Sequence, residues 1–130
     1  MAGLQVLEET FSAQGFHVLG FYSNDFGMQG GDIGTCTDTY HVTFPQFTID
    51  HVIDPDGAGP EEAQPVWQWL AMQPGFTAPT WNFHKYLISR DGQLVGYFPQ
   101  DTWPGDDPNN PNDSFDTNAI VVAIEAELAK

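Results

Sequence analysis

A chain of 130 residues with 41% hydrophobic and 14% aromatic content is the size of one domain and too apolar to be disordered. Its 18 acidic residues face only Lys85, Arg90 and Lys130, and a net charge of −15 makes nucleic acid and anionic membranes poor partners. No apolar run reaches membrane-spanning length, no signal peptide is visible, and the single cysteine, Cys36, excludes an internal disulfide and a cysteine-only metal cluster, which leaves the compartment open.

In chain order, Leu4, Leu7 and Phe11 recur at helical spacing, so residues 3–14 read as an amphipathic helix ended by Gly15. Residues 16–22 are apolar and read as a buried strand, which suggests an α/β sheet. Residues 23–31, rich in Asn, Asp and Gly, read as a loop. A short helix over residues 32–40, with Asp32 as N-cap, carries Cys36. A lone cysteine is more often a small buried hydrophobe than a reactive thiol.

Residues 48–64 form a connection whose Asp54-Pro55-Asp56-Gly57 opening lacks the later ligands of a twelve-residue calcium loop. Pro65 opens a helix to Met72 in which Trp67 and Leu70 are expected in the core. Tyr86-Leu87-Ile88 and residues 94–98 are strand-formers around Asp91-Gly92, a β-hairpin signal. Just ahead of it, Trp81 and Asn82 read in isolation as an aromatic plug and a turn-former. The acidic connection of residues 100–117 reads as a solvated loop rather than a metal site. Asp116-Thr117 are expected to cap a last helix, residues 118–128, whose Ile120, Ile124 and Leu128 share one stripe.

Three stretches carry a family resemblance. Residues 80–98 resemble the W-N-F-x-K-(F/Y)-L-(I/V)-x-(R/K)-D-G signature of the glutathione peroxidase family, a branch of the thioredoxin-like fold. Cys36 and residues 40–47 resemble that family's C-x-x-x-Y-x-V-x-F-P-x-F. Phe21, Asn24, Phe26, Gly27 and Gln29 fall in register with F-P-C-N-Q-F-G-x-Q-E-P, with Tyr22, Ser23 and Gly30-Gly31 as departures.

The resemblance implies a single domain over residues 1–130 with a thioredoxin-like three-layer α/β/α fold, truncated at the N-terminus. It further implies reduction of hydrogen or organic peroxides by a low-pKa sulfur, with thioredoxin or glutathione as the thiol reductant and no cofactor or metal. Gln29, Trp81 and Asn82 match the family's three hydrogen-bond donors around that sulfur. The peroxidatic cysteine or selenocysteine belongs to a segment ahead of the first helix that this sequence does not contain, so the expectation is a peroxidase-like domain that is inactive or incomplete, with Cys36 as a candidate redox thiol. A non-catalytic thioredoxin-fold binding module is the alternative, and an acidic calcium-binding module a more distant one. Loss of a central strand would leave residues 16–22 and 86–89 to pair directly or to flank an open groove, an invitation to self-association.

Overall fold

The computed structural model describes residues 1–26, 33–53 and 63–130. The chain divides into two units, one of Met1–Gly20, Gly31–Gln46 and Asp101–Lys130, the other of Phe21–Gly30 and Phe47–Gln100. Described strands pair in two couples: β1 (Gly20–Phe21) with β2 (Gln46–Phe47), and β3 (Lys85–Ile88) with β4 (Leu94–Phe98).

In the first unit, helix α1 (Ala2–Phe11) runs into a 3-10 turn, Ser12–Gln14, and Gly15 at φ 91° closes it. Leu7 and Phe11 are buried as their spacing predicts, and the Phe11 ring packs against Phe16 and Phe115. Two polar side chains of the same helix are buried with them. Gln5 accepts from the Thr43 amide and donates to Thr43 Oγ1, each at 2.9 Å. Glu8 accepts from the Val18 amide at 2.7 Å and meets His17 Nδ1 at 3.0 Å. Both are satisfied by backbone from other segments, the condition under which burial of such groups is tolerated.

The Glu8 contact also corrects the strand expected over residues 16–22. The Val18 amide is committed to a carboxylate, not to a neighbouring strand, and ladder pairing is confined to β1. There the Gly20 amide donates to Pro45 O at 2.9 Å.

Helix α2 (Ile33–Tyr40) holds Cys36, while its expected cap, Asp32, lies outside the described residues. Helix α4 (Ala119–Leu128) buries Ile120, Val121 and Ile124. Its cap is Asn118, which accepts from the amides of Ile120 and Val121 and donates to Trp103 O, and not Asp116-Thr117. Those two residues belong to a preceding 3-10 turn, Phe115–Thr117, so the helix starts later than its polar entry suggests. In the acidic connection several side-chain oxygens serve turns: Asp107 accepts from the Asn109 amide, Asn110 from the Asn112 amide, and Asp113 from the Asp107 amide.

In the second unit, helix α3 (Pro65–Ala71) starts on Pro65 and buries Trp67 and Leu70, as expected. They form a core with Val52 and Ala63, against which Phe21, Phe26, Tyr86 and Leu94 pack. The Trp67 ring stands edge-on to Phe21 and Tyr86 at 5.9 and 5.4 Å. The β3–β4 hairpin is antiparallel, with Tyr86 opposite Tyr97 and Leu87 opposite Gly96. Ser89 and Gln93 close its turn, with Gly92 at φ 81° in the left-handed region that Asp91-Gly92 foretells. One extra residue on β4 follows, since Ile88 pairs with Leu94, and this bulge sharpens the local twist.

Candidate active site

Among the described residues of the second unit, one non-glycine residue has a positive φ, and it lies in the segment entering β3. Phe83 adopts φ 58°, a left-handed conformation that is strained for a bulky side chain. The bend turns the chain immediately after Trp81 and Asn82 and leaves the Phe83 ring mostly exposed. Next, His84 is fixed from β4: its Nδ1 hydrogen-bonds with the Tyr97 hydroxyl at 2.8 Å, and the two rings stack at 5.7 Å. Tyr86 donates to Thr77 O at 2.7 Å, anchoring the approach to the bend. Burial, assisted by the neighbouring Tyr97, pushes the Tyr86 phenol well above its ordinary range, so it is a neutral donor at any working pH.

Trp81, Asn82 and His84 line a small cleft of about 70 Å³ together with Phe26, Val52 and Trp67. The Phe26 ring lies 6.5 Å from Trp81, tilted by 48°. Two of the donors expected from the sequence, Trp81 and Asn82, therefore meet at one concave site. Trp81 is not a buried plug: the residue is 52% exposed. Gln29 lies outside the described residues, and Cys36 falls in α2, in the first unit.

Sequence reasoning missed a cluster beside the cleft. The Asp25 side chain is 1% exposed and its carboxylate is saturated with donors. Ser23 Oγ donates at 2.6 Å, and the amides of Val52 and Ile53 donate at 2.7 and 3.2 Å. His51 Nδ1 lies 2.6 Å from the other oxygen, on a ring whose side chain remains 45% exposed. Burial alone would raise the Asp25 pKa, but hydrogen bonds from His51, Ser23 and the two amides outweigh it and hold the carboxyl below its ordinary value. The separation of 26 positions between Asp25 and His51 leaves no periodicity or motif by which the pair could be found.

Chemically, the cleft is lined by side chains that include an indole and an amide, with polar Ser23 and His84 beside the Phe26 and Trp67 rings. An indole N–H or a side-chain amide can donate a hydrogen bond to a reactant that develops negative charge as it reacts.

No family model matches the chain. Among curated proteins, it is 40% identical over 109 residues to the glutathione peroxidase homolog BsaA of Halalkalibacterium halodurans, covering 78% of this chain and 66% of that protein. It is 38% identical over 110 residues to the glutathione peroxidase of Lactococcus lactis, with coverages of 78% and 66%. This chain belongs to the glutathione peroxidase family.

A more distant member in name, the hydroperoxy fatty acid reductase gpx1 of Synechocystis, is 38% identical over 107 residues, 72% of this chain and 60% of that protein. The chain thus spans slightly under two thirds of the length of these relatives. The crystal structure of Trgpx in apo form superposes with a TM-score of 0.64 at 24% identity, covering 98% of this chain and 69% of the other. That likeness establishes the fold as the thioredoxin-like α/β fold of the family.

Proposed function

We propose that the cleft is the donor side of a thiol peroxidase site that reduces hydrogen or organic peroxides. The observation that carries this reading is the convergence of Trp81 and Asn82 on one cleft in a chain of this family. In such a reaction a thiolate attacks one peroxide oxygen, the O–O bond breaks, and the departing oxygen takes a proton and leaves as water or an alcohol. The sulfur becomes a sulfenic acid. One thiol condenses with it to a mixed disulfide, releasing water, and a second thiol regenerates the sulfur as a disulfide leaves. The Trp81 and Asn82 N–H groups act as donors to the charge that develops on the peroxide oxygens, a role in which one donor is worth roughly a hundredfold in rate.

Thioredoxin and glutathione are the reductants this chemistry admits. The sulfur is the open element. Cys36 is the one cysteine in the sequence, and no Lys or Arg precedes Lys85, so its sequence neighbours supply no cation to favour the thiolate. The chain as it stands is therefore expected to consume hydrogen peroxide no faster than an ordinary exposed thiol. Placing a strand that ends in a Cys-Gly step ahead of α1 is expected to create thiol-dependent activity, and Trp81→Phe in that extended chain to lower kcat/KM by roughly tenfold to a hundredfold without unfolding it. Peroxide consumption with thioredoxin or glutathione, on the chain and on Cys36→Ser, decides the matter. Fast turnover that disappears with Cys36→Ser would make Cys36 the nucleophile and overturn this assignment of the sulfur. An extended chain indifferent to Trp81→Phe would overturn the role of the cleft.

A further inference from the structure

We propose that Asp25 and His51 act as positioning residues that set the geometry of the Trp81 cleft by clasping residues 23–26 onto residues 51–53. The inference rests on the peroxidase reading for its biological meaning, but its physical content concerns the folded cleft alone.

Neither Asp25 nor His51 lines the cleft, yet each is flanked by residues that do. Ser23 and Phe26 bracket Asp25, and Val52 follows His51. The backbone ties these two segments through the Asp50 amide and Tyr22 O at 3.1 Å. Asp25 adds His51, Val52 and Ile53, all held by one carboxylate that also takes the Ser23 hydroxyl. A second link from Ser23 Oγ, which accepts from the Asp25 amide at 3.0 Å, closes the local turn. Immediately after this turn comes Phe26, whose ring is the neighbour of Trp81. The same segment leads on towards Gln29, the third donor expected from the sequence.

An almost fully buried carboxylate is a costly way to join two loops, because an apolar pair would hold them without desolvating a charge. What the carboxylate adds is direction. Its two oxygens fix where an imidazole, a hydroxyl and two amides stand relative to one another, and a short, charge-assisted hydrogen bond tolerates little displacement. Loosening it is expected to shift Phe26 and Val52, and with them the surroundings of the Trp81 indole, in a protein that remains folded.

The test reads the folded state directly. The Trp81 indole and Asn82 amide cross-peaks are followed by ¹H–¹⁵N NMR, at a temperature well below the melting transition, in wild type, Asp25→Asn, His51→Ala and His51→Asn. Asn at position 51 places an amide Nδ2–H where the imidazole Nδ1 stands, so it keeps the donor without the ring. Asn118→Ala serves as a control that removes the cap of α4 and lowers stability without touching the clasp. The expected result is that Asp25→Asn and His51→Ala move both cross-peaks beyond their linewidths, that His51→Asn restores them, and that Asn118→Ala leaves them in place. Unmoved Trp81 and Asn82 signals in folded Asp25→Asn and His51→Ala would overturn the proposal, as would equal movement in Asn118→Ala. Because no activity is measured, failure here leaves the peroxidase reading standing, and loss of that reading leaves the clasp standing.

Discussion

At the scale of single residues, the charge state of Asp25 makes a prediction of known sign. Its pKa is lowered in the folded protein from an ordinary value of 3.8, so the folded state binds this proton less readily than the unfolded chain. Its contribution to stability is present above the unfolded value and is lost as pH falls through the folded one. Asp25→Asn, which carries no titrating carboxyl, is expected to melt below wild type at pH 7, and the gap should close as the pH is taken from 5 to below 3.8. Paired thermal melts across that range check it. A gap that stays constant into acid would show that the carboxylate charge is not what stabilises the loops.

At the scale of elements, glycine inside α1 shows how packing overrides helix propensity. Replacing an exposed mid-helix glycine by alanine usually stabilises by up to about 1 kcal/mol. A Cβ on Gly3, however, would stand 2.0 Å from the carbonyl oxygen of Pro104, a backbone atom that cannot swing aside. The first turn of α1 lies directly against the connection leading to α4, and Gly3→Ala must push the two apart. The expected outcome is destabilisation by roughly 1–3 kcal/mol, the cost of overpacking, instead of a gain. Urea unfolding of the variant measures it, and an increase in stability would show that the helix and the 104 region separate freely.

At the scale of the whole molecule the dominant quantity is the net charge of −15. Self-repulsion of that size destabilises any compact state, and salt relieves it by shortening the Debye length from about 30 Å at 0.01 M to about 10 Å at 0.1 M. Melting temperature is therefore expected to rise with sodium chloride. Calcium and magnesium at equal millimolar concentration should raise it equally, since Asp107 and Asp113 both accept backbone amides in turns of the acidic connection. A calcium-selective rise abolished by Asp107→Ala or Asp113→Ala would establish an ion site there. Among the described residues no helix is long and apolar enough to cross a membrane.

Features written in short-range pattern were legible from the sequence. Asp91-Gly92 between two β-forming runs specified the hairpin, Pro65 and the Trp67/Leu70 spacing specified α3 and its buried face, and Gly15 marked where the first helical run stops. Trp81-Asn82 within its signature named two cleft residues and the family, since local order along the chain is enough to carry a motif. Contacts between distant segments were not legible. Glu8 capturing the Val18 amide cut a seven-residue apolar run down to the two residues of β1, and a buried carboxylate ten positions away leaves no trace in that run. The Phe83 bend, the His84–Tyr97 pair and the Asp25–His51 clasp likewise depend on which backbone groups the fold brings within hydrogen-bond reach. Sequence pattern specified the hairpin, the buried face of α3 and the family. Tertiary structure alone decided which polar groups were buried together, because the cost of burying each depends on partners that only the folded chain supplies.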